Sequence, residues 1–236
     1  MTLHIIWSRI TLGVMKVYCV IIGDIVNSRE ILNRNEVQIK FKTILHNINS
    51  NYSDYIVSNF SITLGDEFQG VLNRISCFYD IVETIKIEMY PIKFRFGVGV
   101  GDINTDIERL SPFGADGPAY YKSRDLLNHM KEQKNKKMAS KSSIMIKSGG
   151  FEDDVINAVL ALNCHIQDGW AEKQREYIRY YLMTEESQRD IAEHFNVLQG
   201  TVQKALNSSG FYEYLNAKKL LIDYLKNRFG ECNDYR

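Results

Sequence analysis

The chain is predicted to be an α+β protein, a strand–helix–strand–strand–helix–strand unit followed by an all-helical portion. Three observations predict this. In the first hundred residues, short apolar runs alternate with runs of 3.6-residue spacing. A Gly-Asp-Glu turn links two of the short runs as a hairpin. Beyond Gly149-Gly150 only the helical spacing remains.

The elements follow in order. Val17 to Ile22 (Val-Tyr-Cys-Val-Ile-Ile) is continuously apolar, the pattern of a strand covered on both faces. After a polar turn at Ser28-Arg29, a helix is expected from an Asn35 N-cap, with Val37, Phe41, Ile44, Leu45 and Ile48 on its inner face. Ser58 to Leu64 and Phe68 to Leu72 form the hairpin around Gly65-Asp66-Glu67. Ser76 is the expected cap of a helix carrying Phe78, Ile81, Val82, Ile85 and Met89, and Pro91 ends it. Lys93 to Gly101 alternates Phe94, Phe96, Val98 and Val100 as a fourth strand. This is the order of a ferredoxin-like βαββαβ unit. A loop from Asp102 to Pro118, a helix from Ala119 to Gln133 and a last strand within Lys136 to Ile146 complete it.

The Gly149-Gly150 pair after a basic, Ser-containing stretch marks the domain boundary. The expected division is an N-terminal extension (1–14), an α+β domain (15–150) ending in a basic linker (131–150), and a helical domain (151–236). The helices expected there are Phe151 to Ile166, Glu172 to Leu182, Ser187 to His194, Leu198 to Leu206 and Tyr212 to Phe229.

The chain has 236 residues, 44% hydrophobic and 25% charged, which suits a globular protein with a sizeable core. Net charge is zero, so composition singles out no partner. Six lysines against one acid in 131–150 form a single basic stretch between two mildly acidic blocks. Four dispersed cysteines, Cys19, Cys77, Cys164 and Cys232, form no Cys-x-x-Cys pair and read as reduced thiols of a cytoplasmic protein. No apolar run has transmembrane length, so no membrane partner is expected.

Two strand ends carry the chemistry. Val-Ile-Ile-Gly-Asp-Ile (Val20 to Ile25) and Ile-Thr-Leu-Gly-Asp-Glu-Phe (Ile62 to Phe68) each set Gly-Asp after an apolar run. In a βαββαβ unit the end of the first strand and the hairpin tip meet at one sheet edge. Asp24 and Asp66 would converge there, with Glu67 and the Ile25 carbonyl as further oxygens. Such a hard-oxygen set suits Mg²⁺ or Mn²⁺ and a nucleoside triphosphate. Gly23 and Gly65 permit close backbone approach. Taken singly, Gly-Asp after a strand is more often a turn in which Asp caps the backbone. Arg95 reads equally as a phosphate ligand or as a buried ion-pair partner. Gly97, Gly99 and Gly101 lack Gly-x-Gly-x-x-Gly spacing and read as close packing or a bulge.

These residues carry a resemblance. Asp24, the hairpin Leu-Gly-Asp-Glu-Phe, Arg-Phe-Gly-Val-Gly-Val-Gly-Asp-Ile (Arg95 to Ile103) and Gly-Ala-Asp-Gly-Pro-Ala-Tyr-Tyr-Lys-Ser-Arg (Gly114 to Arg124) resemble class III nucleotidyl cyclases. Together with a C-terminal helix-turn-helix, they resemble still more the bacterial SatD family, over about residues 16–225. The cyclase resemblance implies metal carboxylates at Asp24 and Asp66, a transition-state role for Arg124, and a site completed by a second copy of the chain. Tyr120 stands where cyclases usually carry Asn, and no base-selecting Lys is evident. The resemblance therefore supports nucleotide and metal binding over cyclisation.

The helix-turn-helix is expected at 187–207. Ile191, Ala192, Val202 and Leu206 would be buried, and Asn196 would take the left-handed turn position. Gln199, Thr201, Gln203 and Lys204 would face a DNA major groove. The counter-reading is a helical bundle for protein contacts, since residues 151–236 carry 10 basic against 14 acidic side chains and DNA affinity rests on phosphate neutralisation.

Three functions remain open: a nucleotide- and metal-binding regulator of DNA, a nucleotidyl cyclase or transferase, and an interaction module in which both Asp residues only cap turns.

Overall fold

A computed structural model describes residues 17–112, 114–133 and 142–231. The elements are β1 (Tyr18–Ile25), α1 (Arg34–Asn51), β2 (Ile56–Leu64), β3 (Glu67–Leu72), α2 (Phe78–Glu88), β4 (Phe94–Gly101), α3 (Pro118–Gln133), β5 (Ile144–Lys147), α4 (Asp153–Asp168), α5 (Glu172–Thr184), α6 (Gln188–His194), α7 (Gln199–Ser208) and α8 (Phe211–Arg228). The protein is thus α+β, with one mixed five-stranded sheet in the order β2-β3-β1-β4-β5. β1 lies between β3 and β4, antiparallel to both, and β5 joins β4 in parallel.

The continuous apolar run of β1 follows from cover on both faces. Alternate residues point to opposite sides of a strand. Cys19, Ile21 and Ile25 join Phe41, Leu45, Ile81 and Val82 of α1 and α2. Val20 and Ile22 join Ala119, Tyr120, Leu127 and Met130 of α3 on the other side. By the same alternation Asp24 faces α3. That helix lies very close to β4, because Gly97 and Gly99 carry no Cβ. A Cβ at either would run into the Ser123 or Ala119 backbone. Ser123 uses the proximity: its hydroxyl accepts from the Ile22 amide at 3.1 Å and donates to the Gly97 carbonyl at 2.8 Å.

The helical portion shares the core under α1 and α2. Leu160, Trp170, Ile178, Phe211 and Tyr214 belong to the same apolar cluster as the sheet residues. A polar knot fastens α8 to α2. Glu83 accepts from the Tyr214 hydroxyl at 2.5 Å and from Lys218 at 2.6 Å, and Lys218 reaches Asp80 at 2.7 Å. Beyond α8, the Glu231 carboxylate accepts from the amides of Ile75 and Ser76.

Some boundaries differ from expectation. The first helix begins at Arg34, and its N-cap, Asn33, makes no side-chain capping bond. Ser76 lies inside a single turn, Ile75–Cys77, ahead of α2. Its amide is met by Glu231 from far along the chain, an end-capping that local pattern does not encode. The last strand is Ile144–Lys147. The extension 1–14, Cys232, and Lys134, Lys136, Lys137 and Lys141 of the basic stretch lie outside the described residues.

Candidate functional site

The site is a row of charge across three strands. Strand register sets Asp24 opposite Glu67 on β3 and opposite Arg95 on β4. Directly opposed residues share a face, so all three side chains turn toward α3. Asp24 and Glu67 are both buried, at 4% and 7% exposure. α3 adds two cations, Arg124 and Lys131, seven residues apart and so on one helical face.

Arg95 holds Asp24 with two of its three guanidinium nitrogens, Nε to Oδ1 at 3.0 Å and Nη2 to Oδ2 at 3.2 Å. Lys131 Nζ lies 3.2 Å from Asp24 Oδ2 and 3.9 Å from Glu67 Oε2. Arg124 Nη1 donates to Glu67 Oε2 at 2.6 Å. Burial pushes the Asp24 carboxyl above the ordinary carboxylate range, and Arg95 and Lys131 pull against that shift without overcoming it.

Two polar atoms here are buried without a hydrogen-bond partner among the described residues, Glu67 Oε1 and the Tyr120 hydroxyl. Both residues line a cavity of about 360 Å³ with Arg124, Gln69, Asp116 and Tyr121. Burial raises the Tyr120 phenol to about 12, so it stays protonated as a hydrogen-bond donor.

The sequence-predicted residues fall into three groups. Asp24, Glu67, Arg95 and Arg124 come together. Asp66 sits at the hairpin turn, half-buried, where its carboxylate accepts from Ser28 Oγ at 2.5 Å and its carbonyl from the Ile25 amide at 3.1 Å. Gly65 turns the chain with φ 59°, and Gly23 makes room for the Phe68 ring. It is Glu67 that stands opposite Asp24, because two consecutive residues at a strand start cannot point to the same face. Lys131, which the sequence assigns to the basic linker 131–150, also belongs to the site. The signal was its seven-residue spacing from Arg124, masked by the lysine-rich stretch that follows.

Among the described residues, no three or more His, Cys, Asp and Glu side chains converge as a metal site. A hard cation here would have only the Asp24 and Glu67 carboxylates to hold it, and both Asp24 oxygens are bonded to Arg95 and Lys131. Mg²⁺ commonly uses one or two carboxylates and takes its remaining ligands from water and bound phosphates. Glu67 Oε1 is an oxygen with no other occupation.

In the helical portion, Ile191, Ala192, Val202 and Leu206 are buried, and Gln199, Thr201, Gln203 and Lys204 are exposed. Asn196, between α6 and α7, has φ 51°. Ser187 caps α6 by accepting from the Asp190 amide, and Asp190 accepts from Ser187 in return.

Comparison with known proteins adds the following. The model of the SatD family matches residues 18–225, and the chain belongs to that family. Among solved structures, the chain is similar to the dimeric guanylyl cyclase domain of the RhoGC fusion protein from the aquatic fungus Blastocladiella emersonii. That similarity has 21% identity, covers 48% of this chain and 73% of that one, and has a TM-score of 0.34. No curated protein matches the chain. No helix among the described residues is long and apolar enough to cross a membrane.

Proposed function

We propose that this SatD-family protein binds the phosphates of a nucleoside triphosphate, with Mg²⁺ or Mn²⁺, at the Glu67–Asp24–Arg95 row. One observation carries this reading: two buried carboxylates and three cations converge beside a cavity, and a carboxylate oxygen and a phenol there lack partners among the described residues. The βαββαβ element order and the β2-β3-β1-β4 neighbours support reading this unit as ferredoxin-like and palm-type, which suits a phosphate site.

Binding would proceed by exchange of partners. Lys131 and Arg124 are each 39% exposed at the side chain, so their ion pairs are weak, about 1 kcal/mol or less, and easily surrendered. Asp24 and Glu67 would hold the cation, and the released Arg124 and Lys131 would meet phosphate oxygens. Arg95, only 15% exposed and doubly bonded, would stay on Asp24 and keep it oriented. The divalent ion supplies charge neutralisation between carboxylates and phosphates. Asp66, held by Ser28, would join the cation only by giving up that bond.

The test is thermal unfolding with each of the four ribonucleoside triphosphates and Mn²⁺. A rise in Tm of several degrees with at least one is expected. Loss of that rise in Arg124→Ala supports the site, and no rise with any triphosphate would sink the reading. A new product accumulating in the same mixtures, absent in Asp24→Asn, would shift the assignment to a nucleotidyl cyclase or transferase.

A second reading concerns α6 and α7. The exposed row Gln199, Thr201, Gln203 and Lys204, after a turn with left-handed Asn196, supports a helix-turn-helix that docks in a DNA groove. Fluorescence anisotropy with random-sequence duplex DNA at 50 mM salt is the check. Binding that weakens about equally in Lys204→Ala and in higher salt is expected. Absence of binding at low salt would leave α6 and α7 as part of a helical bundle.

A further inference from the structure

The phosphate row leaves a larger space unused. A cleft of about 1320 Å³ runs past the sheet end where β4 begins, and its far wall is α5. Lys93, Arg95 and Met130 line it on the sheet side, and Tyr90, Trp170 and Arg175 on the other. Arg95 belongs to both places, since its guanidinium holds Asp24. Glu67 and Arg95 flank Asp24, two strand spacings or about 10 Å apart. The small cavity therefore lies at one end of the charged row and the cleft at the other.

On the α5 side, Arg175 is set between two rings from outside that helix, Tyr90 after α2 and Trp170 ahead of α5. The Arg175 guanidinium lies 4.5 Å from the Tyr90 ring centroid and 5.8 Å from that of Trp170. Its Nη2 donates to the Asp168 carbonyl at 3.1 Å, whereas its Nε is buried with no acceptor among the described residues. A guanidinium layered on aromatic rings is a surface on which planar heterocycles stack. The volume suffices for a nucleoside.

We infer that this cleft seats the base of the nucleoside triphosphate whose phosphates lie along the Asp24 row, with Arg175, Tyr90 and Trp170 as the stacking platform. The inference rests on the phosphate site proposed above. It also gives the helical portion a direct part in recognition, since α5 packs against both α6 and α7.

The experiment is calorimetric binding of ATP, GTP and inorganic tripolyphosphate in one Mn²⁺ buffer. The wild type is expected to bind at least one nucleotide about tenfold more tightly than tripolyphosphate, the worth of one stacked base. Arg175→Lys should erase that advantage and leave tripolyphosphate affinity unchanged, whereas Lys131→Ala should weaken both ligands. A readout with an intact cleft accompanies it. In a Trp7→Phe background Trp170 is the single tryptophan, and its emission should change with nucleotide and not with tripolyphosphate. Equal affinity for nucleotide and tripolyphosphate, an unchanged advantage in Arg175→Lys, or unmoved Trp170 emission at saturating nucleotide would each overturn the base seat while the phosphate site stands. No binding of either ligand would overturn both.

Discussion

Two clusters of buried charge use the same kinds of residue to opposite ends. At the sheet end, Asp24 and Glu67 meet Arg95, Arg124 and Lys131. Between α2 and α8, Glu83 and Asp80 meet Lys218 and Tyr214. In the second cluster both Glu83 oxygens have donors, at 2.5 and 2.6 Å, and Lys218 is only 12% exposed. A neighbouring bond from Asn163 to the Tyr79 hydroxyl extends the network. In the first cluster two cations are partly in water, one Glu67 oxygen has no partner among the described residues, and a cavity adjoins it. A satisfied network holds two parts of the chain together. An unsatisfied one with exchangeable cations is suited to a ligand. The position of the residues, more than their charge, separates fastening from binding.

The contrast can be broken most forcefully at Lys218. Lys218→Met leaves Glu83 buried and short of a cation, so urea denaturation should show a loss of about 3 kcal/mol or more. A loss below about 1 kcal/mol would mean that the knot is no fastening. Next is Gly99→Ala, whose methyl would meet the Ala119 backbone. Overpacking there should lower stability by about 2 kcal/mol, and the shift of α3 should diminish the triphosphate-induced rise in Tm. Lys131→Ala, at the sheet end, should change stability by about 1 kcal/mol or less yet weaken triphosphate binding severalfold. Equal proportional losses in stability and binding would erase the distinction between the clusters.

The finest comparison is in pH. Burial raises the Asp24 carboxyl in the folded chain against Arg95 and Lys131. A raised folded value makes its contribution to stability complete below the unfolded carboxylate value and diminishing as pH rises through the folded one. The stability of the wild type relative to Asp24→Asn should therefore fall as pH climbs through and above the carboxylate range. A relative stability that rises instead would mean that the cations outweigh burial.

The sequence makes the sheet more legible than the site. β1 announces itself by an unbroken apolar run, and β4 by Phe94, Phe96, Val98 and Val100 in alternation, because burial on one or two faces writes itself into composition. Gly97 and Gly99 are correctly read as close packing, although the partner, α3, is not evident from the strand alone. The sequence ranks Asp66 ahead of Glu67 as the neighbour of Asp24, whereas the register of β1 against β3, a pairing across more than forty residues, sets Glu67 opposite it. Lys131 was hidden for a different reason: a lysine in a stretch with five others looks like a solvated run until α3 fixes its direction. The Glu231 contact with Ile75 and Ser76 joins distant positions and leaves no local trace.

The Ser123 hydroxyl, lodged between the Ile22 amide and the Gly97 carbonyl, has a mechanical consequence. It pins α3 to two strands at once, just before Arg124 and two helical turns before Lys131. At Gly97 and Gly99 the helix backbone rests directly on β4, with no room for a Cβ between them. Ser123→Ala would free α3 from both strands at once and loosen the seating of the helix that carries Arg124 and Lys131.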